Sequence, residues 1–547
     1  MTVLRGIPAA PGLAIGPALT LRPAPPVDLA EQRAVAESVE TDRLVQAIAQ
    51  AMALLERLQK EGQGQLADIL AAQREMLDDP ELKQGAIELI ASGSSAEAAI
   101  ARVAARYADQ LASLPDAYLA ARSEDIREVG RRIVAELRGT STAIVLTQPT
   151  ILVAQDLAPA ELAGLDPALL QAIVTETGSA TGHLAIVAQG LDIPAVVGIT
   201  DALSQVGTST TLIVDGENGI VTINPDSERR DEAEKRLREV QRERRHLEIY
   251  RDRPGLTADG TWVEVFANIG SLAEARKAVE MGAEGVGLFR TEFIAAQGLP
   301  SEEAQYAIYT EIAATLCSPL IVRTFDIGGD KPVPGLDIPA EANPFLGWRG
   351  IRLGLDQPEK VFLPQIRALL RAAATHDIRI MLPMVTTPQE VEAARALINQ
   401  ASLALAREGY ETRPVRLGIM VETPAAALTL DLFTGLIDFA SIGTNDLVQY
   451  TYAVDRTNAR VRARAEPLGV ATLRLVQQIC SSGIPIAVCG QMASDPSAIP
   501  LLVGLGVREL SVSPARIPAV KQTLTALTLE EMRARVREAL GEHTKAM

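Results

Sequence analysis

The run Gly285-Val286-Gly287-Leu288-Phe289-Arg290-Thr291-Glu292 sets an apolar strand directly against a cation and a carboxylate. A short apolar stretch bounded by small residues reads as a buried strand, and its abrupt polar end puts charge at the C-terminal tip. The same pattern recurs on both sides. Val263–Ala267 precedes it, and Leu320–Thr324, Ile378–Leu382, Arg416–Val421, Phe439–Ile442, Pro485–Val488 and Glu509–Val512 follow, with helical patterns between them. Eight strand–helix units over about 290 residues predict a (β/α)8 TIM barrel.

In such barrels the chemistry sits where the strands end. Arg290 follows the second strand and Arg323 ends the third. Glu422 follows the fifth, Asn445 and Asp446 follow the sixth, Arg456 lies ten residues beyond Asp446, and Cys489 ends the seventh. Arginine forks suit a carboxylate and a phosphate. Paired carboxylates such as Glu422 and Asp446 suit a hard cation such as Mg²⁺. A metal and arginines around a small phosphorylated acid imply phosphoryl transfer or enolate chemistry. A lone Arg or Glu is usually a surface charge, and a lone Cys such as Cys489 is usually an apolar filler. The weight rests on their joint placement at several strand ends.

The first half reads differently. Met1 to about Thr20 is a short strand, Val3–Ile7, followed by a Gly-rich turn. Leu29–Leu137 has apolar residues three and four apart, broken at Asp78-Asp79-Pro80, Ser92–Ser95 and Leu114-Pro115-Asp116, which predicts a helical bundle. Strand-like runs follow at Ala143–Leu146, Thr150–Ala154, Ala172–Thr175, Thr211–Asp215 and Ile220–Ile223. If the first strand joins them, the bundle is an insertion. Ser227–Tyr250 mixes acids and bases as a solvated linker helix. The chain is therefore a multidomain α/β protein: residues 1–22 with 140–226, an inserted 23–139, a linker at 227–255 and the barrel at 256–547.

His183 closes Gly178-Ser179-Ala180-Thr181-Gly182-His183 and opens the apolar run Leu184–Ala188. Strand, small-residue loop and helix start are the natural reading, with Thr181 as N-cap and His183 in the first turn. Backbone N–H groups there favour an anion, and a neutral imidazole is a nucleophile at pH 7. By itself such a histidine is more often a capping or packed residue.

Composition narrows the class. Apolar residues are 47% and aromatics only 3%, which disfavours base stacking, and a net charge of −17 repels nucleic acid and anionic membranes. An acidic surface suits a basic protein partner. Three cysteines and four histidines form no disulfide framework and no zinc spacing. The N-terminus lacks a signal-peptide pattern and no apolar run reaches spanning length, so a cytoplasmic protein without membrane insertion is expected.

With these residues in place the chain resembles Enzyme I of the bacterial phosphoenolpyruvate-dependent sugar phosphotransferase system, almost end to end. The motifs are Gly282–Leu288 with Arg290-Thr291-Glu292-Phe293, Arg323-Thr324 with Asp326–Lys331, Asn343–Arg349, Val421–Ala426, and Ser441–Leu447 with Tyr450-Thr451. The resemblance implies that Arg290, Arg323, Arg456 and the Asn445 region bind phosphoenolpyruvate, with Lys331 and Arg349 near the phosphate. It implies that Glu422 and Asp446 hold Mg²⁺ and that Cys489 protonates the enolate of pyruvate. His183 would carry the phosphoryl group on a swivelling domain, the inserted bundle would dock the carrier HPr, and the barrel would form a homodimer. Departures stand out. Ala180 and Gln189 replace arginines, Gly182 replaces a serine, Gln491 replaces a glutamate, and Arg464-Ala465-Glu466-Pro467 breaks a His-and-Pro pattern. The alternatives are a phosphoenolpyruvate synthase or pyruvate phosphate dikinase relative, which would need a nucleotide-binding domain, and a non-catalytic regulator that docks the carrier.

Overall fold

The computed structural model describes residues 2–22, 25–61, 70, 73–113, 123–139, 144, 146–157, 161–162, 165–166, 168–179, 183–190, 193–295, 298–316, 318–329, 331, 333–339, 341–458 and 460–541. The chain divides into two compact units, Met1–Arg242 and Glu243–Met547.

The first unit is built on an eight-stranded sheet with order β1-β8-β7-β3-β4-β5-β6-β2. Its strands are β1 (Thr2–Arg5), β2 (Ile7–Ala10), β3 (Leu13–Leu21), β4 (Thr150–Ala154), β5 (Leu170–Thr175), β6 (Ala195–Val197), β7 (Thr211–Asp215) and β8 (Ile220–Ile223). Between β3 and β4 come helices Glu37–Glu61, Pro80–Ala91, Ala96–Ala112 and Ser123–Leu137. Polar caps start two of them: Asp79 accepts from the Glu81 N–H ahead of Pro80, and Ser95 accepts from Ala98. The helices pack on Leu44, Leu55, Leu77, Ile90, Ile100 and Ile133, a core separate from those on the two faces of the sheet.

Three expectations change here. The stretch read as a Gly-rich turn is the nine-residue β3, antiparallel to β7 and parallel to β4. Its small residues Ala14, Gly16 and Ala18 hide the alternation, because close packing of the sheet face replaces large side chains. Val3–Ile7 is broken at Gly6, whose N–H bonds to the Gly219 carbonyl, so two strands pair with β8 and β6 at opposite sheet edges. In the run Ala143–Leu146, Ile144 and Leu146 are not strand, while residues 143 and 145 lie outside the described residues. The break at Leu114–Asp116 also lies outside them. The charged helix runs from Ser227 to Arg251.

The second unit contains a closed barrel of parallel strands: β9 (Glu264–Ile269), β10 (Val286–Arg290), β11 (Leu320–Arg323), β12 (Ile378–Leu382), β13 (Leu417–Val421), β14 (Phe439–Ile442), β15 (Ile486–Val488) and β16 (Glu509–Val512), with β16 closing on β9. Alternation divides each strand between the outer helices and the interior. Val322, Ile380, Ile419 and Val488 belong to the large outer core. Leu288, Ile321, Met381, Met420 and Cys489 form a separate apolar cluster, which fills the interior below the strand ends. No helix among the described residues is long and apolar enough to cross a membrane.

At the strand starts, Glu264 of β9 and Glu509 of β16 are register partners. Burial pushes the Glu509 carboxyl up to about 8, with Glu264 adding to the effect and Arg379 opposing it. Its Oε1 is buried without a hydrogen bond. A carboxyl raised in the folded state favours folding where it is protonated in both states, below the ordinary 4.5, and that increment is lost as pH climbs to about 8. Glu509→Gln, which cannot ionise, should therefore melt several degrees above the unmutated barrel at alkaline pH, at about 2–4 °C per kcal/mol. Thermal unfolding followed from acid to alkaline pH checks this, and parallel curves for the two proteins would contradict it.

Candidate active site

The barrel gathers its charge where the strands end. Arg290 and Arg323 close β10 and β11 and are register partners. Three residues beyond Arg323 the chain places Asp326, which is fully buried. Its Oδ1 accepts from Arg349 Nε at 3.1 Å, and its Oδ2 accepts from Arg349 Nη2 at 2.8 Å and Lys331 Nζ at 2.7 Å. Arg323 Nη1 stands 3.3 Å from the same Oδ2. Burial opposes ionisation of Asp326, but Arg323, Lys331 and Arg349 outweigh it and hold the carboxyl far below the usual range.

The backbone is shaped around this hub. Gly350 adopts φ +60°, donates its N–H to Ile327, and brings the loop carrying Arg349 against Met384; a Cβ there would lie 2.9 Å from the Met384 side chain. Met384 itself sits at φ +57°, an uncommon conformation for a side-chain-bearing residue. Its N–H donates to Glu422 Oε1 at 2.6 Å. Glu422 follows β13 and is 1% exposed. Across from it Gly443 admits the carboxylate, since a Cβ would lie 3.0 Å from Oε2.

Asp446 extends the network. Its Oδ2 is 3.3 Å from Arg456 Nη1, and its Oδ1 is 3.9 Å from Arg349 Nη1 and accepts no hydrogen bond. Burial raises the Glu422 carboxyl to about 8, and repulsion from Asp446 and Asp326 adds to it. Two buried carboxylates that repel, one with an unfilled oxygen, fit a hard divalent cation. Among the described residues no group of three or more His, Cys, Asp or Glu converges, so such a cation would complete its shell with water or substrate oxygens.

Cys489 is buried beneath this layer, its thiol 3.6 Å from the Ile442 carbonyl, and burial pushes it up to about 11. It is a protonated thiol at neutral pH. Asn445 turns its Oδ1 to the Gln491 N–H at 3.1 Å. Arg456 lies over Phe345 at 5.8 Å and Arg290 over Phe293 at 5.6 Å. The structure thus brings Arg323, Lys331, Arg349, Asp446 and Arg456 into one ion-pair network, with Glu422 packed beside it. Arg290 and Asn445 join through strand position rather than through that network.

His183 belongs to the first unit, where its backbone opens helix His183–Gly190 after β5. Its side chain, with Ala180, Thr181 and Gly182, lies outside the described residues. Gln189 donates from Nε2 to the Ala9 carbonyl of β2 at 2.6 Å.

Two residues passed over as site candidates are central: Asp326 and Glu292, whose Oε1 meets Arg323 Nη2 at 2.5 Å. Both stand inside the quoted motifs, and the three-residue spacing of Asp326 from Arg323 was the available signal. Removing one partner from a buried charge cluster is costly. Asp326→Ala, which removes the carboxylate shared by Arg323, Lys331 and Arg349, should cost the barrel about 3–5 kcal/mol. Urea unfolding of the barrel transition measures it, and a loss under about 1 kcal/mol would show the cluster to be solvent-screened.

Residues 5–122, 146–219 and 244–529 match the N-terminal, mobile and PEP-binding domain families of PEP-utilising enzymes. The chain is 38% identical over 545 residues to the phosphoenolpyruvate-protein phosphotransferase of Staphylococcus carnosus (strain TM300), an alignment covering 97% of this chain and 95% of that protein. It is 36% identical to the Bacillus subtilis (strain 168) protein of that name, over 97% and 95% of the two chains. It is 39% identical to that of Haloferax volcanii, over 88% and 85%. End-to-end similarity at this level, over a barrel whose strand ends hold the arginines and carboxylates described, places the chain in the phosphoenolpyruvate-protein phosphotransferase family.

Proposed function

We propose that this chain takes the phosphoryl group of phosphoenolpyruvate onto His183 and passes it to a histidine of a small HPr-type carrier, releasing pyruvate. The observation that carries the reading is the single network in which Asp326 and Asp446 orient Arg323, Lys331, Arg349 and Arg456 at the strand ends.

Arg290, Arg323, Lys331 and Arg349 receive the phosphoryl oxygens, and Arg456 with Asn445 receives the rest of the substrate. Glu422 and Asp446 would hold Mg²⁺, which neutralises charge on the transferring group when bound. Five cations face four carboxylates, Glu292, Asp326, Glu422 and Asp446. Phosphoenolpyruvate with one Mg²⁺ is a net monoanion, so the loaded site approaches neutrality. The ring nitrogen of His183 forms its bond to phosphorus as the bond to the enol oxygen breaks. Cys489, held as the thiol, donates its proton to the enolate carbon. The phosphorylated imidazole then serves as donor to the carrier histidine.

The remaining assignments follow that cycle. Residues 1–22 and 140–226 form the swivelling domain, 23–139 dock the carrier, 227–255 link, and 256–547 bind phosphoenolpyruvate and dimerise. Exposed Leu428 and Leu432, beside the helix that carries exposed Val470, support a covered face. Gly139 at φ +62° and Asn224 at φ +47° support hinges at Gly139–Thr142 and Asn224–Asp226, although Thr140–Thr142 lie outside the described residues. The compartment is the cytoplasm.

Radiolabelled phosphoenolpyruvate with Mg²⁺ should give an acid-labile, base-stable phosphoprotein, and His183→Ala should abolish the label. Label persisting in that variant would remove His183 from its role, and none in the unmutated chain would favour a carrier-docking regulator. With carrier present, Cys489→Ser should slow pyruvate formation about 10²- to 10⁴-fold, read by a coupled pyruvate assay.

A further inference from the structure

Arg323 is held by two carboxylates of unlike character. Asp326 is 1% exposed in its side chain, and both of its oxygens are taken. Glu292 is 16% exposed in its side chain and uses one oxygen only. Its Oε1 receives Arg323 Nη2 at 2.5 Å and stands 3.5 Å from Lys331 Nζ, while Oε2 is buried without a hydrogen bond. Arg323 Nε is likewise buried without one. Thr291 Oγ1 donates to the Arg323 carbonyl at 2.8 Å, so the turn Thr291–Ala295 is pinned against the end of β11 and Glu292 is delivered to this guanidinium.

The geometry points to Glu292 as an exchangeable counter-ion that fills the anion seat on Arg323 and Lys331 until a phosphoryl group displaces it. This rests on the reading that Arg323 and Lys331 bind the phosphoryl group of phosphoenolpyruvate. It adds a specificity-determining residue to that site. A built-in carboxylate sets a threshold. A monoanion replacing it at the same distance gains nothing in Coulomb energy, whereas a phosphoryl dianion gains about twice the attraction. The seat therefore rejects simple carboxylates and chloride and admits a dianion, which is discrimination by competition rather than by shape. Asp326 cannot play this part, because Arg323, Lys331 and Arg349 hold its two oxygens together and it has no free side from which to be displaced.

The sign of the expected effect separates this role from a structural one. In Glu292→Gln the amide keeps the side-chain volume but gives up the competing charge. The Michaelis constant for phosphoenolpyruvate should fall about threefold or more, and inhibition by acetate, used as the monoanionic probe, should strengthen about tenfold. Glu292→Asp keeps the charge but draws it back by one methylene, and should show the same shift at smaller size. These are measured with full-length protein, Mg²⁺ and carrier. A raised Michaelis constant, unchanged acetate inhibition, or a loss confined to kcat in either folded variant overturns the inference. An unmutated chain that takes no label from phosphoenolpyruvate overturns the underlying reading and this one with it; a labelled chain whose variants keep their anion discrimination overturns this one alone.

Discussion

A fully buried carboxylate facing three cations constrains everything around it. Asp326 could not ionise alone in that place, because desolvation would force its proton back on. It stays charged because Arg323, Lys331 and Arg349 are brought within 3.3 Å of its oxygens. Those side chains come from β11, from the loop after it and from the loop before helix Ile351–Asp356. The cluster forms only when all three segments have found their places. Met384 and Gly350, both at positive φ, are where the backbone bends to allow it.

The barrel interior gives that cluster its strength by what it lacks. Leu288, Ile321, Met381 and Met420 form an apolar floor beneath the charged layer. Fixed charges above such a floor act at full effect on a bound anion, without reorganising water. Cys489 belongs to the floor by packing and to the site by position, and its raised thiol follows from that double membership. The role proposed for Cys489, proton donor to the enolate carbon, would need a thiol that stays protonated beside an anionic substrate, and burial favours this without a partner base.

How much of this the sequence disclosed depends on the kind of signal. Ile378–Leu382, Phe439–Ile442 and Glu509–Val512 could be read to the residue, because a short apolar run between breakers has few other uses in a parallel barrel. The nine-residue β3 was hidden because its buried face is Ala and Gly, and β6, three residues between Pro194 and Gly198, is too short to register as a pattern. Within the site, strand-end arginines were legible because a cation at the tip of an apolar strand is conspicuous. Asp326 and Glu292 were not singled out, since an acid near arginines reads as ordinary surface pairing until their convergence in space is known. Burial depends on every neighbouring segment, and no local window contains it.

The two units are differently provided with charge. In the barrel Glu292, Asp326, Glu422 and Asp446 are each in contact with a cation or a backbone N–H, so the site is determined before substrate arrives. The first unit departs from the family pattern at the residue six beyond His183. The residue that the family resemblance would make an arginine is Gln189, neutral, with its amide already committed to the Ala9 carbonyl at 2.6 Å. In the relay proposed above, Gln189 would leave the phosphoryl group on His183 to other donors, among them the backbone N–H groups near the start of helix His183–Gly190, which lack intrahelical partners. A group held by backbone dipoles is held less tightly than one gripped by guanidinium forks. For the relay proposed above this would be a workable arrangement, because the imidazole would have to give up what it receives, whereas the barrel would have to hold its donor in place until the bond breaks.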